Sequence, residues 1–250
     1  MSSLSTFIVT LILATALLFG CNPVGPKSYQ PLNANFFPLG PNSSWDYLVE
    51  DEAAHQHFTV IDRVIGSRYI ASLNLSGTLV EEYCDMERAD QNEQPMVYAL
   101  DHGFLMRVSA LINSQHHIEV SSFGAVKEAQ FLPSPLLADH NWQDEFFPLG
   151  HVAVSPVVPF KVMISSRSYG ETDEIVVPAG HFHSCIRVES SESYEGGPAP
   201  ESVRKLNIID WYAPNVGLIE SLIREAAHNH AILSRKVLRE YHIAAAAKGL

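Results

Sequence analysis

The chain has 250 residues, and its 28 acidic side chains against 16 basic ones give a formal net charge of −12. A surface of that sign repels phosphate backbones and anionic headgroups, and the usual basic cluster is missing from the sequence, so nucleic acid is excluded as a partner. Forty-six per cent of the residues are hydrophobic, enough for a sizeable core, and after its first 35 residues the chain is one domain's worth.

The first segment concerns location. Thr6 to Gly20, "TFIVTLILATALLFG", carries no charge and is too short to cross a bilayer comfortably, which takes about 20 residues, so residues 1–20 read as a signal peptide. It runs into "LFGC", Leu18 to Cys21, then into "NPVGPKS", whose prolines and glycine cannot continue a helix. This resembles a bacterial lipobox, which implies cleavage before Cys21 and a diacylglyceryl thioether on its sulfur. The resemblance departs in two places: no Lys or Arg precedes Thr6, and Phe19 is bulky. A plain secretory signal or an uncleaved anchor are the alternatives. A lipidated Cys21 makes the membrane a partner, since each buried methylene contributes about 0.8 kcal/mol. By resemblance to other lipoproteins, Asn22 after the cysteine implies the outer membrane, facing the periplasm. Residues 21–35 then form a flexible tether rich in Pro, Gly, Ser and Asn.

From residue 36 to 243 the segments alternate with period two, and turns are short apart from "DMERADQNEQ" (85–94) and "YEGGPAPE" (194–201). "FTVIDRVIGSRYIASLNL" reads as a hairpin turning at Gly66-Ser67, a Gly-X loop that suits a type II′ turn. "GFLMRVSAL" and "HHIEVSSF" form a second pair around Asn113-Ser114, and "FKVMISSRSYG" precedes a separate strand starting at Asp173. Only the last segment has helical spacing, at Leu233, Val237 and Tyr241; its first part reads as a strand and residues 244–250 as a tail. Many strands without alternating helices predict a mainly β fold, a single antiparallel β domain, with curved sheet, half-barrel, barrel and sandwich all open.

A signature repeats within it. "FFPLGPNSSWDY" places Pro38 seven residues before Trp45, and "PLLADHNW" places Pro135 seven before Trp142. Proline offers no donor to a ladder, polar residues turn the chain, and tryptophan brings a large apolar surface into the next strand. "FFPLG" (146–150) repeats the letters without the tryptophan and is treated as an echo. The first copy resembles the opening of a broad group of uncharacterised bacterial envelope lipoproteins and secreted proteins with a Phe-Pro-Leu…Gly-Asn-x-Trp pattern. "VVPAGHF", with Pro178 and Gly180, resembles that group's Val-Pro-Ala-Gly-x-Phe strand start. "WYAPNVGLIES", with Trp211, Tyr212 and Gly217, is similar to its Tyr-Ala-Pro-Gly-Val-Gly-Leu segment. Where the group has glycine, this chain has Asn42, Asp139 and Asn215. Among residues with a side chain, Asn and Asp are the ones most often found at positive φ, so three positive-φ turns are expected.

Such motifs shape a backbone and carry no chemistry. Twelve histidines include the pairs His55/His57, His181/His183 and His228/His230. Residues two apart on a strand share a face and can jointly ligate zinc or copper. Against that, His181 and His183 share theirs with Arg187 and Glu189, while Phe182, Ile186 and Val188 take the other, so the pair points at solvent. No metal and no cofactor are expected. Cys84 and Cys185 read either as a disulfide, permitted in an oxidising compartment, or as two small buried hydrophobes. There is no Gly-x-Ser-x-Gly elbow, no His-Glu-x-x-His, no phosphate-cradling loop and no Cys-x-x-Cys. The expectation is a cell-envelope lipoprotein without enzymatic activity. A curved sheet with an apolar inner face would bind a lipid or other hydrophobic small molecule; a structural part in an envelope assembly, touching another envelope protein, and a metal-binding role are the alternatives.

Overall fold

The computed structural model describes residues 35–52, 54–70, 75–85, 96–101, 103–109, 111–112, 118–119, 129–146, 161–195, 205–226 and 231–244. The signal peptide, Cys21, the tether as far as residue 34, Asn113-Ser114 and the pair His228/His230 lie outside the described residues. The elements are all strands: β1 (Ser44–Asp51), β2 (Gln56–Ile70), β3 (Leu75–Cys84), β4 (Met96–Asp101), β5 (Phe104–Ser109), β6 (Leu111–Ile112) and β7 (Ile118–Glu119). The second half holds β8 (Ala129–Pro133), β9 (Asn141–Phe146), β10 (Lys161–Val177), β11 (Gly180–Glu195), β12 (Lys205–Ala213), β13 (Gly217–Glu225) and β14 (Ile232–His242). The period-two pattern explains why. In β1, Trp45, Tyr47 and Val49 are buried and Asp46, Leu48 and Glu50 are half-buried, so one face is core and the other is mixed.

Twelve strands form one antiparallel sheet, in the order β8-β5-β4-β3-β2-β1-β14-β13-β12-β11-β10-β9. The chain starts in the middle at β1, steps outward to β8, crosses to the opposite edge at β9 and returns to pair β14 with β1. That crossing dictates the shape. Between Pro133 and Asn141 the backbone can reach at most about 29 Å, whereas the edges of a flat sheet of twelve strands would stand about 53 Å apart. The sheet therefore curls until its edges face each other. The connector is pinned to both sides, with the Ser134 amide donating to Gly103 O (2.7 Å) and the Ser168 amide to His140 O (2.9 Å). No ladder joins β8 to β9 among the described residues, so the antiparallel domain is an open, curled sheet.

Three sequence expectations need correction. Gly66-Ser67 is not a turn: β2 runs through to Ile70, and the register against β3 shifts between Val64 and Gly66. Gly66, at φ 142°, takes up a bulge that only glycine accommodates without cost, so a turn-like dipeptide serves as a bend in a long strand. β10 likewise continues from Lys161 to Val177, with a register shift between Ser168 and Glu171 where the sequence suggests two strands. The segment around 104–112 splits: β5 pairs with β4 and β8, and only Leu111–Ile112 pairs with Ile118–Glu119. The final segment is strand as far as His242.

The repeated signature has a geometric content. Asn42, Asp139 and Asn215 have φ of 69°, 55° and 61°. The Ser43 amide donates to Gly40 O (3.0 Å) and the Val216 amide to Ala213 O (3.2 Å), closing two four-residue turns. In each, proline holds the second position and asparagine the third, where a type II turn requires positive φ. The turn at Asp139 is closed differently. Buried Ser168 stands between its ends, accepting from the His140 amide at 3.1 Å and donating to Leu137 O.

The first and last of these turns dock on one another. Trp45 Nε1 donates to Val216 O at 2.6 Å, and the Asn215 amide donates to Asn35 O at 2.7 Å. A Cβ on Gly217, at φ 106°, would lie 3.5 Å from Trp45 Nε1 and 3.6 Å from Pro38 Cδ. The chain from Asn35 to Ser43 is thus a strap laid against the β12–β13 turn. Phe36 on this strap is buried with Leu132, Trp142, Ile186 and Tyr212, between the sheet's two halves. Trp142 is buried like Trp45, but its Nε1 has no hydrogen-bond partner among the described residues. Trp211 is partly buried against the second core, which gathers Trp45, Tyr47, Phe182, Ile219 and Leu238. Pro135, after a cis Ser134-Pro135 bond, and Pro178 are exposed, whereas Pro38 is buried.

The strap turn yields a stability prediction. Asn42→Gly should leave unfolding free energy within about 0.5 kcal/mol, while Asn42→Val should lower it by about 1–2 kcal/mol, since a β-branched residue tolerates positive φ poorly. Urea denaturation of both variants checks this, and equal effects would contradict the turn's geometry.

Candidate functional site

Inside the curl lies a cavity of about 300 Å³. Its walls are the inward rows of most of the sheet, and the ladder registers say which residues share that side. Trp45 is paired with Asp62 and Asp62 with Glu82; Tyr98 with Arg107; Val188 with Asp210, Asp210 with Ser221, and Ser221 with Lys236. The strap covers part of the opening with Phe37, whose ring meets Tyr98 and Phe131 at centroid distances of 4.9 and 5.3 Å. Tyr98 and Phe131 are themselves 5.6 Å apart, so three aromatic rings make one wall.

The other walls are charged, which departs from the apolar inner face the sequence suggests. Lys236 Nζ stands 3.4 Å from Asp62 Oδ2 and 3.6 Å from Glu82 Oε2, and 4.3 Å from the Tyr47 ring centroid. Asp210 faces them from β12, with Tyr212 OH 3.4 Å from its Oδ2 and Ser221 hydrogen-bonded to it. Arg107 lies 5.0 Å from the Phe131 centroid. Asp62 keeps 22 % of its side-chain surface accessible and yet its pKa rises to about 6. That combination belongs to a carboxyl group that faces a partly enclosed space: burial is the main cause, Glu82 adds to it and Lys236 opposes it. Asp210 is also pushed up to about 6, by burial first, against its hydrogen bonds and the nearby Arg107 and Lys236. Burial raises Tyr98 to about 12 and Tyr47 and Tyr212 well above the ordinary range, so these hydroxyls stay protonated at neutral pH. Tyr47 OH donates to Leu218 O at 3.1 Å.

The residues singled out in the sequence sit mostly elsewhere. His181 and His183 are exposed on β11, with His181 Nδ1 2.8 Å and His183 Nε2 3.8 Å from Glu174 Oε1 on β10. Among the described residues no three His, Cys, Asp or Glu side chains are grouped to hold a metal ion. Both cysteines are thiols: Cys185 on β11 is buried, as a small hydrophobe would be, whereas Cys84 on β3 is exposed and fits neither reading. Burial pushes the Cys185 thiol up to about 11. Trp45, Tyr212 and Gly217 do reach the cavity wall. Asp62 shares its strand face with Val60 and Val64, and Asp210 shares its face with Ile208 and Tyr212, but Ile61, Ile65, Ile209 and Trp211 make the opposite parity apolar too, so the pattern alone does not point either acid inward.

No family model matches the chain, and no curated protein matches its sequence. Among solved structures, it is similar to a protein from Parabacteroides distasonis described provisionally as a lipoprotein: TM-score 0.47, 15% identity, covering 84% of this chain and 99% of that one. It is similar to the same degree, TM-score 0.47, to a Bacteroides fragilis protein described provisionally as exported and as having a YmcC-like fold, at 16% identity over 84% and 99% of the two chains. A likeness of that size carries no functional inference.

The raised carboxyls make stability depend on pH. Their pKa near 6 in the folded chain lies above the ordinary 3.8, so the folded state binds more protons than the unfolded one between those values. Both groups therefore weaken the fold while ionised, above about pH 6, and stabilise it as pH falls through 6. Between pH 7 and pH 5 the native chain should gain on the order of 1 kcal/mol more than Asp210→Asn does. Urea midpoints at the two pH values measure the difference, and parallel changes would contradict it.

Proposed function

We propose that this chain is a non-enzymatic lipoprotein of the bacterial cell envelope that holds a small molecule with an apolar body inside its curled sheet. The observation that carries this reading is the cavity. Its volume of about 300 Å³ is at the lower end of the range for small-molecule sites, and it combines an aromatic wall with a few fixed polar groups, as such sites do. The buried tyrosine hydroxyls are held protonated and Lys236 is engaged by two carboxylates, an arrangement suited to orienting a ligand. The uncharged stretch before Cys21 and the lipobox-like "LFGC" support export and attachment through the thioether of Cys21. Asn22 supports the outer membrane as the destination, with the domain on the periplasmic side.

Two experiments test the two halves separately. Native mass spectrometry of protein extracted from envelopes is expected to show a bound mass lost on denaturation; a ligand-free mass in every preparation would overturn the binding role. Cys21→Ser should move the protein from the membrane fraction to the soluble fraction, and continued membrane retention would sink the lipid anchor while leaving the cavity reading intact.

A further inference from the structure

We propose that the cavity selects an amphipathic cation, a protonated or quaternary amine carrying an apolar chain; this rests on the ligand-binding reading above. The first ground is charge. Six ionisable side chains of acid or base type line the space: Asp62, Glu82, Glu192 and Asp210 against Arg107 and Lys236. Four negative and two positive groups leave the lining at −2 when all are ionised. Lys236 is shared by Asp62 and Glu82 at 3.4 and 3.6 Å, so even this best-compensated trio keeps an excess negative charge.

The second ground is the aromatic wall. Ring faces carry negative potential and attract cations within about 6 Å, and this cavity already uses the effect with its own side chains: Lys236 over Tyr47 at 4.3 Å and Arg107 over Phe131 at 5.0 Å. Phe37, Tyr98 and Phe131 lie together at 4.9–5.6 Å and would hold an apolar chain or the methyl groups of an ammonium. The third ground is desolvation. Asp62 and Asp210 are carboxylates taken out of bulk water on two walls of one space, and an ammonium between them would offset a cost that a neutral or anionic headgroup would leave or worsen.

Protonation then competes with the cation. Asp62 faces Lys236, Glu82 and Tyr47, and Asp210 faces Arg107, Lys236, Tyr212 and Ser221. Burial pushes both carboxyls up to about 6, so a bound ammonium holds them ionised and affinity falls as the pH drops from 7 to 5.

The test compares three probes of one chain length on the full folded chain: hexyltrimethylammonium, hexanesulfonate and 1-hexanol, titrated by calorimetry at pH 7. The ammonium should bind at least tenfold more tightly than the other two, lose at least fivefold in Asp62→Asn and Asp210→Asn, and weaken between pH 7 and pH 5. Sulfonate or hexanol binding as tightly as the ammonium overturns the cation preference and leaves the ligand-binding reading standing. Binding of none of the three also overturns the cation preference, while the ligand-binding reading then stands or falls on the native mass. The three-probe comparison on the native chain decides the matter even if a carboxamide variant fails to fold.

Discussion

The hydrogen bond from the Trp45 indole to the Val216 carbonyl, 2.6 Å long and buried, is the constraint that seats the strap and with it one wall of the cavity. It joins the start of β1 to the β12–β13 turn, which belongs to the other half of the sheet, and it seats the strap that precedes β1. A buried indole N–H without a partner costs about 1–3 kcal/mol, so the bond favours one seating of the tryptophan over its alternatives. Everything on the strap follows from that seating. Phe36 fills the space between the two halves, and Phe37 completes the aromatic wall with Tyr98 and Phe131.

The curl itself is imposed by chain connectivity. A short connector joins opposite edges of a twelve-stranded sheet, so the inward face must enclose a volume, and that volume has to be filled or left as a cavity. Large side chains and the strap fill much of it. What remains is bounded by carboxylates, a lysine and an arginine, a lining that a purely structural core would avoid because desolvated charge opposes folding. The same feature links stability to function: groups that weaken the fold while ionised are those a complementary ligand would satisfy.

The sequence made the strand class legible through alternation and the turns through their residue types. Asn42, Asp139 and Asn215, all at positive φ in the structure, could be read there because few residues with a side chain adopt that conformation. Gly66-Ser67 misled, since glycine at positive φ serves a bulge as well as a turn and local pattern does not say which. The stretch ending at Gly170 misled for a different reason: β10 crosses it unbroken, with only a register shift against β11 and no positive φ at that glycine. The cavity was less legible. Asp62 and Asp210 stand on strands that are apolar at both parities, and their convergence with Lys236 depends on strands far apart in the chain, which only the closed path of the sheet brings together. The exposed pair His181 and His183, prominent in the sequence, meets Glu174 on the neighbouring strand and does not line the cavity.

The central claim is that one indole bond holds the strap over a partly enclosed interior. Amide and indole hydrogen exchange, followed by nitrogen-edited NMR, addresses it at a single proton, with the Trp45 signal assigned by its disappearance in Trp45→Phe. The account predicts that the Trp45 indole proton exchanges orders of magnitude more slowly than a solvent-exposed indole, at a rate close to that of the slowest β1 amides. Exchange as fast as that of a free indole would contradict it.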